Sequence, residues 1–157
     1  MKKIFFLLLI IFLSNSCGYK PQFGEIQKIN FFIESVEFKS TDRELAQLIK
    51  SNLNRYMENK DGNNFIIETT IDYQKRPISK NTKGQIEEYE LLAFIKFTTM
   101  INDKIEVLDI NEKNNMINFD NEFEEIRFER NVKKSMSNSI TSKLILWLIS
   151  LNDNQSK

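Results

Sequence analysis

The chain has 157 residues, a length typical of one domain, and its 22 basic side chains are balanced by 22 acidic ones. That balance lacks the basic excess expected of a nucleic-acid-binding protein. The chain has no histidine, one cysteine and four glycines, which excludes histidine-dependent triads, an internal disulfide and a glycine-rich phosphate loop. These absences predict a protein that is not an enzyme and that has no cofactor and no metal site.

The N-terminus has the pattern of a secretory signal peptide. Lys2 and Lys3 precede an unbroken apolar run, Ile4–Leu13, which is followed by small polar residues. As a helix this run would be about 15 Å long, roughly half of the hydrocarbon core of a bilayer, so a membrane-spanning anchor is disfavoured. We predict a signal peptide over residues 1–16 and a single lipid-anchored domain over residues 17–157.

The only cysteine, Cys17, lies where the signal peptide ends. The segment LSNSC, Leu13–Cys17, resembles the lipobox of bacterial lipoproteins, although its leucine stands one place early. In such proteins a signal peptidase cuts before the cysteine, which then carries a diacylglyceride and an amide-linked third chain. We therefore predict lipidation of Cys17, and Gly18 in the next position favours the outer membrane. The alternative is an ordinary signal peptide with an incidental cysteine.

The first part of the mature chain predicts an extended lead, a strand and a helix. The lead is Tyr19–Gln27, and the strand Ile29–Phe38 is apolar on both faces, which predicts a central strand or one covered on both sides. Thr41 and Glu44 have the spacing of a capping box, and an apolar stripe follows them until Gly62 ends the helix.

The centre of the chain predicts a hairpin with a basic tip. Apolar residues alternate along Phe65–Tyr73 and again along Tyr89–Ile101, as in half-buried strands. Between them, Lys75–Gly84 contains proline, asparagine and glycine, which indicate a long loop. The basic residues of this tip are Lys75, Arg76, Lys80 and Lys83.

A fourth strand and a second helix complete the chain. The strand is predicted over Ile105–Ile110, with an irregular asparagine-rich continuation over Asn111–Asn118. A helical apolar stripe runs from Val132 to Leu151, and its Trp147 is predicted to pack in the core, with a partner or membrane contact as the alternative. Asn121 and Glu124 form a possible cap, and the tail Asn152–Lys157 is expected to fray.

The element order β-α-β-β-β-α predicts an α+β domain. Two amphipathic helices need an apolar surface to cover, and one face of a sheet supplies it. We predict a four-stranded mixed or antiparallel sheet with both helices packed on one face.

Two motifs in this setting resemble the LPS-assembly lipoprotein family called LptE. CGYKPQFG, Cys17–Gly24, is similar to the family's Cys-Gly-aromatic-x-Pro-Leu-Tyr-Gly start, and GQIEEYEL, Gly84–Leu91, is similar to its turn into the third strand. The resemblance implies a lipid-anchored protein on the periplasmic side of the outer membrane. Its partners would be an LptD-like β-barrel, which it plugs and helps to assemble, and lipopolysaccharide (LPS), which it helps to deliver to the outer leaflet.

The basic tip is the candidate ligand site under this resemblance, since lysine and arginine pair with the phosphates of lipid A. The motif matches place no family ligand residue on Lys75, Arg76, Lys80 or Lys83, and a solvated loop is the alternative.

Two other functions of the protein stay open from the sequence. One is an accessory lipoprotein of another envelope lipid-transport complex. The other is a hydrolase using two carboxylates of Glu87, Glu88 and Glu90, of which only the last two share a strand face.

Overall fold

The computed structural model describes residues 30–58 and 60–155. The predicted signal peptide, Cys17 and the lead Tyr19–Gln27 lie outside the described residues. The elements in chain order are β1 Phe31–Ser40, α1 Arg43–Leu53, a 3₁₀ turn Asn54–Tyr56, β2 Asn63–Lys80, β3 Ile86–Ile101, β4 Lys104–Ile117 and α2 Glu122–Gln155.

The four strands form one sheet in the order β1-β2-β3-β4. β1 pairs with β2 in parallel, and β2, β3 and β4 form an antiparallel meander. This confirms the predicted α+β fold with a mixed sheet. The two helices cover one face of the sheet, and we call the uncovered face the open face. The prediction that the first strand is central or covered on both sides is wrong, because β1 is an edge strand with one covered face.

A β-bulge explains why the sequence of β1 appears apolar on both faces. Ile33 pairs with Phe65 and Ser35 pairs with the next residue of β2, so one extra residue, Glu34, stands in β1. Beyond the bulge the alternation changes phase, and Val36 and Phe38 lie on the same face as Ile33. Both pack against the buried core. The strand is therefore covered on one face only.

The start of α1 differs from the predicted capping box. Asp42 is the N-cap, and its carboxylate accepts a hydrogen bond from the Leu45 N–H at 2.8 Å. Thr41 instead extends the contact between β1 and β2: its hydroxyl accepts from the Tyr73 N–H, and its own N–H donates to the Ile71 carbonyl. The helix ends at Leu53, well before Gly62, because a 3₁₀ turn begins the return to β2.

The hairpin between β2 and β3 is longer than predicted and its loop is shorter. Most of the predicted tip is strand, since Lys75 pairs with Leu91 and Pro77 with Tyr89. Proline is tolerated there because the register shifts immediately after it. The remaining loop, residues 81–85, lies at what we call the tip of the sheet. The prediction of a loop is wrong for Lys75–Lys80, because cross-strand pairing overrides the local turn residues, and it is confirmed for residues 81–84.

β4 is regular throughout, so the prediction of an irregular asparagine-rich end is wrong. It pairs with β3 from Lys104 to Ile117, and its buried residues include Ile110 and Met116. Asparagines are tolerated because β4 lies at the sheet edge and they are exposed. A two-residue turn, Asn102 and Asp103 with φ of 49° and 61°, connects β3 to β4 as in a type I′ hairpin.

α2 has 34 residues and is about 50 Å long. The carboxamide of Asn121 accepts a hydrogen bond from the Phe123 N–H at 2.9 Å, which confirms the predicted cap at this residue. Trp147 is half-buried against the core, as predicted. The tail prediction is wrong up to Gln155, since the helix continues and Asn152 is buried there and bonded to Asn63. Residues 156–157 lie outside the described residues.

The core lies between the helices and the inner face of the sheet. Phe65 and Phe97 from the central strands are its largest fully buried side chains. Phe31 packs edge-on against Phe65, with ring centroids 5.3 Å apart. The buried side chains of the helices complete it: Leu45, Ile49 and Leu53 of α1 and Val132, Met136, Ile140, Leu144, Ile145 and Leu148 of α2. Burial of these faces holds both helices on the sheet.

Candidate functional site: the basic hairpin and the ionic network

The loop at the tip of the sheet is held by one asparagine. The Asn81 carboxamide oxygen accepts hydrogen bonds from the backbone N–H groups of Lys83 and Gln85, each at 2.9 Å. The Gly84 N–H donates to the Asn81 carbonyl, also at 2.9 Å. Lys83 is thus presented from a loop whose backbone is internally bonded, and Lys80 from the last residue of β2 beside it.

Lys75, the first of the four candidate phosphate contacts, points towards the helices. Its ammonium contacts Glu125, is 3.2 Å from a Glu129 carboxylate oxygen, and lies 4.6 Å from the centre of the Tyr89 ring. Burial alone would lower the pKa of Lys75, but the hydrogen bonds that its ammonium donates to the two glutamates outweigh burial and raise it. The charge of Lys75 is therefore already balanced within the protein.

The other three candidates are exposed at or near the tip. Arg76 lies on the open face and contacts the side chain of Gln74. Lys80 and Lys83 contact no carboxylate among the described residues. The structure thus separates the four candidates into one internal cation and three accessible ones.

Beneath the N-terminal half of α2 lies a group that we call the ionic network: Asp42, Glu44, Tyr73, Lys75, Glu125, Glu129 and Lys133. Lys133 is at its centre, and only 8% of its side chain is exposed. Its ammonium is 2.7 Å from Asp42, 3.2 Å from Glu129 and 3.5 Å from Glu44. The same ammonium lies 4.5 Å from the centre of the Tyr73 ring.

The pKa shifts in the ionic network follow from burial and from these contacts. Burial would lower the pKa of Lys133, but its bonds to Asp42 and Glu129 outweigh burial and raise it. Burial would raise the pKa of Glu129, but Lys133 and Lys75 outweigh it and lower this pKa. The Tyr73 hydroxyl donates to Glu129 at 3.1 Å, and burial together with that carboxylate raises the pKa of Tyr73 far above its usual value. Tyr73, Lys75, Glu129 and Lys133 are thus each held in one protonation state at neutral pH.

Sequence reasoning missed Lys133 and Glu129. The available signal was that Lys133 lies between Val132 and Met136, inside the buried stripe of α2, where a charge requires a partner. Which carboxylates supply it depends on how α1, α2 and β2 pack together.

The carboxylates considered for a hydrolase lie where strand alternation predicts. Glu88 and Glu90 are both on the open face, and Glu90 contacts Lys113.

A polar groove of about 390 Å³ lies between α1 and α2, remote from the basic tip. It is lined by hydroxyl, amide and guanidinium groups of Ser51, Asn52, Arg55, Asn138, Thr141 and Ser142.

Within residues 30–58 and 60–155, no cluster of three or more potential metal ligands is present. No helix in the same residues is long and apolar enough to cross a membrane.

Solved structures with the same architecture include rare lipoprotein B from Shewanella oneidensis. It is 16% identical with a TM-score of 0.59, and the match covers 78% of this chain and 98% of that one. The chain has the rare lipoprotein B fold. A minor lipoprotein from Acinetobacter baumannii shares this fold, with 14% identity, a TM-score of 0.50 and coverage of 74% of this chain and 91% of the other. The sequence matches no protein-family model and has no significant match among curated proteins.

In the rare lipoprotein B fold of this chain, one end of the sheet is basic and one face carries no helix. The accessible cations, Arg76, Lys80 and Lys83, lie at the tip, and the ionic network lies under the helices. The tip therefore presents Lys80 and Lys83 without a carboxylate partner among the described residues, and the open face offers a partner a surface that neither helix covers.

Proposed function

We propose that this chain is an outer-membrane lipoprotein that plugs an LPS-export β-barrel, assists its assembly and helps to deliver LPS to the outer leaflet. The observation that carries the proposal is the rare lipoprotein B fold downstream of a lipobox-like segment ending at Cys17. The fold alone is shared with proteins named only as lipoproteins. The resemblance of Cys17–Gly24 and Gly84–Leu91 to the LptE family supplies the more specific role.

Two physical features support a plug. A large barrel leaves an aqueous lumen with polar side chains, so a protein that fills it needs a mixed polar surface. The open face has such a surface: Lys96 lies 3.9 Å from Asp109, and Lys113 contacts Glu90. In this proposal the chain acts through binding, without catalysis, from the periplasmic side of the membrane to which Cys17 anchors it.

The first test is purification of the full chain from membranes in mild detergent, followed by mass spectrometry of the intact protein and of its partners. We expect a mass for a chain that begins at Cys17 and carries acyl groups, together with a large β-barrel protein in stoichiometric amount. A monomer with no barrel contradicts the plug role. Capture of a different lipid-transport complex favours an accessory lipoprotein of that complex instead.

The LPS contact is tested by replacing the accessible cations Arg76, Lys80 and Lys83 with glutamine and measuring LPS binding to the purified protein. We expect binding to weaken by about tenfold or more, because loss of one charge-assisted hydrogen bond of about 1.5 kcal/mol already has this effect. Lys134, which is exposed on α2, provides the control Lys134→Gln. If the parent protein, the variant with all three cations replaced and Lys134→Gln bind LPS equally, the tip is not the ligand site.

A further inference from the structure

The open face carries an apolar cluster at the end opposite the tip. We call this end the base; it contains the turn at Asn102 and the start of β2. Met100 pairs with Ile105 across β3 and β4, and Thr98 pairs with Val107 in the adjacent row. Ile66 of β2 lies beside Met100, one position beyond the pairing of Ile67 with Thr99. The base cluster and its exposed fractions are Ile66 55%, Met100 69%, Ile105 71% and Val107 45%.

The remainder of the open face mixes ion pairs, such as Lys96 with Asp109, with the exposed apolar side chains Phe94 and Ile117. The base cluster instead brings four exposed apolar side chains together. Its nearest turn contributes one charge of each sign, Asp103 and Lys104, both exposed. Among the described residues, this turn therefore adds no net positive charge that would attract an anionic surface. Contacts with the base cluster would be apolar, and they would depend little on salt concentration.

The chain enters the domain at the same end. The Asn30 carbonyl accepts a hydrogen bond from the Asn63 N–H at 3.2 Å, so the first described residue lies beside the start of β2. Ile66 is three positions further, about 10 Å along the strand. Twelve residues lie between Cys17 and Asn30, and a fully extended chain of that length reaches at most about 45 Å. An anchor at Cys17 thus limits the base to within about 45 Å of the bilayer, whereas the tip lies at the far end of the 18-residue strand β2.

We propose that the base cluster rests on the surface of the bilayer that holds the acyl chains of Cys17. This inference depends on the proposed lipidation. The tether replaces a bimolecular encounter by an intramolecular one, so a few apolar side chains suffice to hold the domain against the lipid. Exposed aliphatic side chains gain by entering the boundary between headgroups and acyl chains. The contact orients the sheet with its basic tip pointing away from the anchoring leaflet.

The experiment compares two single substitutions in the full chain, Ile105→Cys and Ile117→Cys. Both isoleucines lie on the open face of β4 and are exposed, by 71% and 58%, but they are about 40 Å apart, at the base and the tip. Each variant is purified from membranes, its intact mass is measured, and its new thiol is labelled with a polarity-sensitive fluorophore. An acylated Cys17 does not react. The protein is then reconstituted in phosphatidylcholine vesicles that contain a nitroxide-labelled lipid.

We expect blue-shifted and quenched emission from the label at position 105 and neither effect at position 117, at low and at high salt. Emission that is unquenched at both positions in an acylated protein overturns the inference while the anchor stands, and it leaves the base cluster to a protein partner. Equal quenching at both positions also overturns it, because the domain then lies on the membrane without a preferred end. A mass without acyl chains removes the proposed anchor and the inference together.

Discussion

Gly62 lies where the start of β2 approaches the backbone of Asn30 closely. It has a φ of +92°, and a Cβ atom built on it would lie 2.1 Å from the backbone oxygen of Asn30. Gly84 at the hairpin tip also has a positive φ, of +79°, but open space surrounds it. The two glycines therefore share a conformational requirement, and only Gly62 has a steric requirement as well.

We expect Gly84→Ala to lower the free energy of unfolding by about 1 kcal/mol, the cost of a left-handed residue with a side chain. Gly62→Ala should lower it by about 3 kcal/mol or more, because the entry of β1 must also move away from β2. Urea denaturation of both variants measures the difference. Equal losses would show that the contact between Gly62 and Asn30 does not constrain the fold.

At the scale of elements, β1 shows how one extra residue changes the interpretation of a strand. Strict alternation places Phe32, Val36 and Phe38 on one face, whereas the bulge at Glu34 turns the last two onto the core side. The apolar pattern is therefore that of a half-buried edge strand with a change of phase. A periodicity of two carries no information about where such a change occurs.

The bulge predicts that two deletions in β1 differ in their effect on stability. Deletion of Glu34 leaves Ile33 and Ser35 adjacent, opposite consecutive residues of β2, so it should change stability by less than about 1 kcal/mol. Deletion of Glu37 should turn Phe38 towards solvent and cost about 2–3 kcal/mol in lost burial. Both glutamates are exposed, which makes the pair a matched comparison by thermal or urea unfolding. Similar losses from the two deletions would contradict the bulged register.

At the scale of the whole molecule, the ionic network joins elements that are distant in sequence. Asp42 precedes α1, Tyr73 and Lys75 belong to β2, and Glu129 and Lys133 belong to α2. Apolar burial alone would allow α2 to slide along the sheet, whereas these directional contacts specify one position. Because its members are partly buried, removal of one partner leaves the others poorly compensated.

The network makes stability depend on pH in a defined direction. The pKa of Glu129 is lowered below its usual 4.5, so its contribution is present above pH 4.5 and is lost as the pH falls through the lowered value. The pKa values of Lys75 and Lys133 are raised above 10.5, so their contributions persist up to pH 10.5 and are lost only above it. Stability should therefore fall on the acid side while it remains level around neutral pH.

Glu129→Gln tests this dependence through urea unfolding at pH 7 and pH 3. The variant should be less stable than the parent protein by about 2 kcal/mol at pH 7, and the difference should shrink at pH 3. Glu87→Gln, an exposed change on β3, is the control and should have little effect at either pH. If the difference in stability between the two proteins is the same at both pH values, the pKa of Glu129 does not differ between the folded and the unfolded state, and the prediction is wrong.

The sequence by itself determined the type and order of the elements, the buried stripes of both helices and the capping role of Asn121. These features depend on residues that are near each other in the chain, so local periodicity and capping chemistry reveal them. Whether Cys17 is lipidated stays a prediction from the lipobox-like segment. The four basic residues of the tip could also be found from sequence, but only as a set.

Tertiary structure decided which members of that set are accessible and where β1 lies. The charge of Lys75 is balanced by Glu125 and Glu129, which are about fifty residues away in the chain. The burial of Lys133 depends on contacts that no local pattern specifies. The edge position of β1 and its bulge depend on pairing with β2. Strand register and charge compensation arise from contacts between distant segments, and their energies appear only once the layers are packed together.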